Sequence, residues 1–313
     1  MQEIWLDTDP GFDDWMAWAL LEADPGIELL GVSVVAGNAP LPAVLANALR
    51  IKALHGFAVP VHAGCDRPLV QPQTTAENVL GAGAMASSGR VLPHSPAALT
   101  PGHGVQALID AVRARPGRVT LLAIGPLTNV ATAFALAPEL PRLLKAPLVI
   151  MGGSTDTGNT NAVAEFNIHA DPEAASAVFN AGIEIVMFGI NVCRQVQIGP
   201  AELAAMRALA GEPAAIFADH LDAYIGHSHR RGGSTMALYD PSPVIWLARP
   251  ELFELVPARV DIELDGRYTR GMTVCEFRLP QHGPPNARVA MAAQGGPALA
   301  FAVERLTRLF AGV

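Results

Sequence analysis

The chain is poor in cysteine: only Cys65, Cys193 and Cys275 occur in 313 residues, far apart and without CxxC spacing. That argues against a disulfide framework and against a zinc site. Basic residues form no cluster and the net charge is −8, so nucleic acid is not expected as a partner. A cation or a neutral small molecule suits this balance better. Only 16% of residues are charged and 50% are hydrophobic, the reverse of a disordered composition. No apolar run suits a membrane span. The most apolar long stretch, Leu121–Leu140, is broken by Gly125-Pro126 and Asn129 and reads as strand, turn and helix. Met1 leads directly into polar residues and a short strand, with no secretory leader pattern, so a soluble cytoplasmic protein is expected. Repeats and linker-like compositions are also missing, which favours one domain over 1–313.

What is present is alternation. Strands are expected at Ile4–Leu6, Ile27–Val35, Val59–His62, Val119–Ile124, Leu148–Met151 and Glu184–Gly189. Helical patterns fall at Phe12–Glu22, Pro42–His55, Gly104–Ala114, Leu127–Ala137 and Pro172–Asn180. Residues 64–100, rich in Gly, Pro, Ser and Thr, read as a long loop with room for a short helix. The chain then reads as mainly helical up to Ala248, followed by a β-hairpin over Val256–Phe277 turning at Asp265-Gly266 and a last helix Pro297–Phe310. This implies an α/β fold: an open, mostly parallel sheet flanked by helices, with a small β-hairpin near the C-terminus. Ligands of such sheets bind beyond the carboxyl ends of the strands. The polar clusters Asp7–Asp14, Gly37-Asn38, Gly125–Asn129 and Gly152–Asn167 all lie at those ends, which points to one composite site.

The sharpest of these is "DTDPGFDD", with Asp7, Asp9, Asp13 and Asp14 inside eight residues. Asp7 and Asp9 share a side of an extended segment. Pro10 suits a first helical position, which makes Asp9 a natural N-cap. Capping accounts for one or two aspartates, at up to about 1 kcal/mol each. Four like charges raise one another's pKa or demand a cation. Carboxylate oxygens favour Ca²⁺ or Mg²⁺ over zinc.

Three further Asp-Pro pairs invite comparison. Asp24 and Asp171 read as helix caps, and so does Asp240 on its own spacing. In "GGSTDTGNTNAVAEFNIHADPEAA", Asn159 is a typical turn residue. Glu165-Phe166-Asn167 reads as polar–aromatic–polar, with the carboxylate and the amide on one side. An acceptor beside an acceptor–donor suits sugar hydroxyls.

Taken together, "DTDPGFDD" (Asp7–Asp14), "VVAGN" (Val34–Asn38), "IGPLTNVA" (Ile124–Ala131), "VIMGGSTDTGNTNAVAEFNIHADPEAA" (Val149–Ala175) and, in part, "YDPSPV" (Tyr239–Val244) resemble the nucleoside hydrolases, the inosine-uridine-preferring N-ribohydrolases. The resemblance implies calcium-dependent hydrolysis of the N-glycosidic bond of ribonucleosides, and a homodimer or homotetramer. It implies Ca²⁺ held by Asp9, Asp14, the Ile124 carbonyl and Asp240, with Asp9 as general base. Asp13 and Asn167 would then hold the 2′-hydroxyl, Asn159 and Glu165 the 5′ side, and Met151 its backbone N–H, with Asn38 near the reacting sugar and Asp7 in support.

The likeness weakens at the nucleobase end. Many relatives carry a histidine before the last metal aspartate, where this chain has Tyr239, and a His-Gly pair after the third strand, where it has Leu80-Gly81. Tyr239 can donate a proton, though its ordinary pKa near 10 makes it a weaker acid than imidazolium. "DHLDAYIGHSHRRGG" offers Tyr224, His227 and His229 as base contacts, and Arg230-Arg231 before two glycines fits a hinged lid. Two other functions compete. One is a haloacid dehalogenase-type phosphatase, which also begins with strand-Asp-x-Asp; Pro10 and the missing basic phosphate motif speak against it. The other is a non-catalytic nucleoside or sugar receptor on the same scaffold, supported by the absent histidines.

Overall fold

A computed structural model describes residues 1–230, 232–279 and 283–312. Its strands are β1 (Gln2–Thr8), β2 (Ile27–Val34), β3 (Val61–Ala63), β4 (Val119–Ala123), β5 (Leu148–Met151), β6 (Ile185–Phe188), β7 (Gln197–Ile198), β8 (Met236–Ala237), β9 (Phe253–Ile262), β10 (Thr273–Glu276) and β11 (Ala287–Ala293). Nine of them form one sheet, ordered β10-β9-β11-β6-β5-β4-β1-β2-β3. From β3 to β6 all neighbours are parallel. The chain winds from β1 outward to β3, then returns to β1's other side and winds outward again through β4, β5 and β6. The direction reverses between β1 and β4, and in a doubly wound sheet the crevice beyond that point is where ligands bind.

Alternation along the central strands explains their continuous apolar runs. Ile4, Leu6, Leu122, Val149, Met151, Val186 and Phe188 enter one core; Trp5, Leu121, Ala123, Leu148, Ile150, Ile185 and Met187 enter a second on the other face. Both faces are covered, so a polar face is not needed. The helix Phe12–Ala23 is buried at every position from Phe12 to Leu21. It packs against the helices Pro241–Ala248 and Gly295–Ala311, and this brings the start of the Pro241–Ala248 helix next to its own start.

The expected hairpin is present as β9 and β10, paired antiparallel with Thr273 opposite Ile262. The sequence reading missed β11, which lies between β6 and β9, parallel to the first and antiparallel to the second. Its sequence, "ARVAMAA", is alanine-rich, and alanine is depleted in strands; its central place in the sheet overrides that preference. The loop 64–100 carries the short helix Glu77–Leu80. One cap expectation fails. The first helix begins at Phe12 with Gly11 at its N-cap, so Asp9 is not the cap. Asp24 is the C-cap of that helix, with its backbone N–H on Leu21 O, and its carboxylate accepts from Gly26 N at 2.8 Å. Asp171 does cap Pro172–Phe179, accepting from Ala174 N at 3.1 Å.

Candidate active site

β1 delivers the chain to the point where the winding reverses, and Asp9 is the first carboxylate beyond it. Asp9 is completely buried. Its Oδ2 accepts from Asn38 N at 2.6 Å, whereas its Oδ1 has no partner among the described residues. Two glycines make this fit possible: a Cβ on Gly37 would lie 2.1 Å from Asp9 Oδ2, and one on Gly125 would lie 2.7 Å from Oδ1.

Asp14 is anchored from four sides. Its Oδ1 accepts from the Thr8 hydroxyl at 2.5 Å and Asp9 N at 3.2 Å; its Oδ2 accepts from Gly11 N at 2.8 Å and Asn38 Nδ2 at 3.0 Å. Asn38 therefore clamps both carboxylates, and its Nδ2 also donates to Asp9 O at 3.0 Å. Asp13, one residue earlier in the first helical turn, is buried with Oδ1 unpartnered among the described residues. Asp240 sits at the start of Pro241–Ala248 but makes no capping hydrogen bond, so the plain cap reading fails. One carboxylate oxygen from each of Asp13, Asp14 and Asp240 lies within 4.8 Å of the others. This trio differs from the ligand set implied by the resemblance, in which Asp9 stood in place of Asp13.

Asp7 belongs to a separate network. It accepts from the Ser33 hydroxyl and from Asn129 Nδ2 (2.8 Å), while Ser33 in turn receives Trp5 Nε1 at 2.9 Å. Burial still pushes its carboxyl up to about 7.

No lysine, arginine or histidine among the described residues forms an ion pair with Asp9, Asp13, Asp14 or Asp240. Burial raises the pKa of Asp9, and the charge of Asp14 raises it further. Burial and the Asp14 charge push Asp13 up to about 7. Asp240 is raised by burial, then by Asp13, Asp14 and Asp9. Burial raises Asp14 despite its four donors. Such a cluster is stable only if it keeps protons or gains a cation. The orphaned Asp9 and Asp13 oxygens and the oxygen-only donor set fit a hard divalent cation.

The ribose-end residues are distributed unevenly. Asn167 is buried, and its Nδ2 donates to the carbonyls of Ile124 (2.8 Å) and Met151 (3.1 Å). These carbonyls end β4 and β5, so one amide ties the strand ends together. Glu165-Phe166-Asn167 is not extended: Glu165 caps the short helix Phe166–Ala170. Its carboxylate accepts from the backbone N–H of Asn167 (2.8 Å), Gly153 (2.9 Å) and Ile168 (3.1 Å). Burial nevertheless pushes it up to about 7. Asn159 is exposed on the loop, with its backbone N–H on Ala164 O and its Oδ1 near the Thr160 hydroxyl.

At the other end, Tyr239 is half-buried beside Arg194; burial raises its pKa and the guanidinium lowers it. Sequence reading missed Arg194, which also donates to the Thr157 hydroxyl at 2.8 Å and so links Tyr239 to the Asn159 loop. Tyr224 is buried, lies beside Asp13 and donates to Ala237 O at 2.8 Å. His227 is half-buried with Nδ1 3.3 Å from Arg230, and His229 is exposed near Ser234 O. Arg231, part of the expected lid, lies outside the described residues. Leu80 and Gly81, where the resemblance leads one to expect His-Gly, line a cavity of about 140 Å³ that Tyr224 and His227 also line.

A fold wound about β1 and β4, with a buried carboxylate cluster at their ends, narrows the comparison with known proteins. Residues 4–297 match the family model "Inosine-uridine preferring nucleoside hydrolase". The chain is 38% identical over 289 residues to the pyrimidine-specific ribonucleoside hydrolase RihA of Citrobacter koseri, covering 91% of this chain and 92% of that one. Among solved structures, a purine-preferring ribonucleoside hydrolase from Gardnerella vaginalis superposes with a TM-score of 0.91 at 27% identity, covering 100% of both chains. A plant nucleoside hydrolase gives 0.90 at 26% identity, covering 98% of this chain and 99% of that one. With sequence match and architecture agreeing over nearly its whole length, this chain belongs to the nucleoside hydrolase family.

Proposed function

We propose that the chain hydrolyses the N-glycosidic bond of ribonucleosides, releasing ribose and a free base, with Ca²⁺ as its metal. The observation that carries this reading is the convergence of Asp13, Asp14 and Asp240 at the carboxyl edge where the sheet reverses, with Asp9 Oδ1 left unpartnered among the described residues. Asp9, Asp14, Asp240 and the Ile124 carbonyl would hold the cation, with Asp13 at its margin. Bound there, it would lower the pKa of a coordinated water and orient it.

The chain's own residues supply the rest. Asp9 Oδ1, with no competing donor, takes the proton from the attacking water. Water adds to the anomeric carbon opposite the base, through an oxocarbenium-like transition state. Asp13, Asp240 and Asn167 hold ribose hydroxyls, and Asn159 and Glu165 the 5′ side. The grip contributes to rate where it tightens as positive charge grows on the ring. Met151 contributes its backbone N–H, and Asn38 fixes the carboxylates. Tyr239, held by Arg194, protonates the departing base, with Tyr224, His227 and His229 near it.

Family membership leaves no support for the phosphatase reading. We further propose a single domain over 1–313, a soluble cytoplasmic enzyme and a homodimer or homotetramer; among the described residues no helix is long and apolar enough to cross a membrane. The direct test is a turnover screen over inosine, uridine, cytidine and adenosine with excess Ca²⁺ and with chelator. Free base released only with the metal is the expected result. Nucleoside binding without turnover in excess Ca²⁺ would replace the enzyme by a receptor.

A further inference from the structure

One buried side chain that no role above uses joins the two ends of the proposed site. Asn47 lies in the helix Leu41–His55 and is 3% exposed. Its helical neighbours Val44, Ala48 and Ile51 are buried in the core, so the helix holds it firmly. Its Nδ2 has two hydrogens to give, and it donates to two backbone carbonyls, Pro10 O at 2.8 Å and Gly83 O at 2.7 Å. Pro10 stands in the acidic turn, between Asp9 and the Asp13-Asp14 pair. Gly83 stands in the loop 77–86, whose Leu80, Gly81 and Ala84 line the cavity that Phe12 and Tyr224 also line. Phe12 directly precedes Asp13, and Tyr224 lies beside Asp13, so cavity and acidic cluster share a wall.

The loop needs such a tie. Ala84 has a φ of +59°, in the left-handed region that an alanine side chain disfavours, and it alone among the described non-glycine residues has a positive φ. A strained conformation persists only where its surroundings fix it. Within the loop, the Glu77 carboxylate accepts from Gly83 N at 2.9 Å. Before it, Ala76 N reaches Asn38 O at 3.0 Å. Asn47 adds the link from the loop's tip to the acidic turn, and the two run so close that a Cβ on Gly11 would lie 3.3 Å from Ala84 O. The carboxylates have anchors of their own: Asn38, Thr8 and Gly11 hold Asp9 and Asp14. Loss of the Asn47 amide therefore frees the loop and leaves the carboxylates in place.

We infer that Asn47 is a positioning residue for the leaving base: it ties the loop that walls the cavity to the turn that carries the carboxylates, and so fixes where the base sits relative to Asp9. The inference rests on the nucleoside hydrolase reading for what occupies the cavity. Asn47 touches no reacting atom and acts through the backbone of Gly83. An apolar side chain in its place leaves two carbonyls without their donor, which the loop relieves by moving away.

The test compares wild type with Asn47→Leu, which fills a similar volume and donates nothing. The substrates are the best natural nucleoside of the turnover screen and p-nitrophenyl β-D-ribofuranoside, whose leaving group departs as a stable anion and needs no base pocket. In the variant, kcat/KM on the nucleoside is expected to fall on the order of a hundredfold, the cost of about 1 Å of misplacement, while the nitrophenyl riboside stays within about threefold. Amide hydrogen exchange in 81–86 should quicken about tenfold, the effect of one lost hydrogen bond. Ca²⁺ binding by calorimetry should be unchanged. Equal losses on both substrates, or a weakened Ca²⁺ affinity, would be the mark of a general structural role and overturn the inference, as would no loss on either substrate. Slow exchange of 81–86 in wild type is a check that needs no variant to fold; exchange as fast as in an unfolded chain overturns the tie. If wild type hydrolyses neither riboside, the hydrolase reading fails, while exchange in the variant still decides whether Asn47 holds the loop.

Discussion

Asp9 and Tyr239 stand at opposite ends of the proposed site, and the chain holds them by different means. Asp9 leaves a central strand and is fully buried, with one oxygen bonded to Asn38 N and two glycines pressed against its carboxylate. Tyr239 is half-buried on the turn between β8 and Pro241–Ala248, with Arg194 as its charged neighbour. The carboxylate end is built from sheet and core, which tolerate few rearrangements. The base end is built from a helix, a turn and the loop 77–86, where replacement is easier. The two relatives named by base preference, one pyrimidine-specific and one purine-preferring, differ in the feature that this second end would read.

Substitutions can break that comparison. The largest effect belongs to Asp9→Asn, which removes the proposed base and keeps an oxygen for Asn38 N. Turnover should fall by about a thousandfold with the fold retained, within the range of general-base catalysis. Because Asp9 is crowded by Asp14 and Asp13, the metal-free variant should also melt at a higher temperature than metal-free wild type. Wild-type turnover in this variant would move the base elsewhere.

Gly37→Ala comes next and removes no functional group. The added methyl would sit 2.1 Å from Asp9 Oδ2, so the carboxylate must shift. A displacement near 1 Å costs on the order of a hundredfold in rate. Loss of kcat without loss of folded protein is expected; full activity would show that Asp9 does not need its present position. Tyr239→Phe should have a smaller effect, about a tenfold drop in kcat, at the low side of acid catalysis because a phenol is a weak acid at neutral pH. Unchanged kcat on every nucleoside hydrolysed would leave Tyr239 a packing residue and shift attention to Arg194.

The same contrast decided what could be read from sequence. The apolar runs gave all six parallel strands from β1 to β6, with ends off by up to two residues, because strands buried on both faces admit little else. The acidic cluster was legible because four aspartates in eight residues have no adequate structural reason to be there. Asp240 was legible only through the resemblance, since its own spacing is that of a cap; the packing of its helix against Phe12–Ala23 brings it to Asp13 and Asp14. β11 was hidden by its alanines. Asn47 was hidden inside a helical pattern, where an asparagine gives no local sign that its amide reaches Pro10 and Gly83. Arg194 was hidden for a like reason, its partners being distant in sequence.

Glu165 tests the carboxylate end by stability instead of rate. Burial raises its carboxyl from 4.5 to about 7, against the lowering effect of backbone N–H donors. A raised folded-state pKa means that the folded protein favours the protonated form. Its contribution is therefore fully present below about pH 4.5 and is lost as pH rises through about 7. The loss is on the order of 3 kcal/mol, since each factor of ten in proton affinity corresponds to about 1.4 kcal/mol. Glu165→Gln is neutral throughout and keeps an oxygen for the helix cap. Melting curves across this window should show wild type losing stability relative to the variant as pH rises, while other buried carboxyls such as Asp7 affect both proteins alike. Parallel pH profiles would mean that the three backbone donors outweigh burial, and that Glu165 enters the site as an ordinary carboxylate.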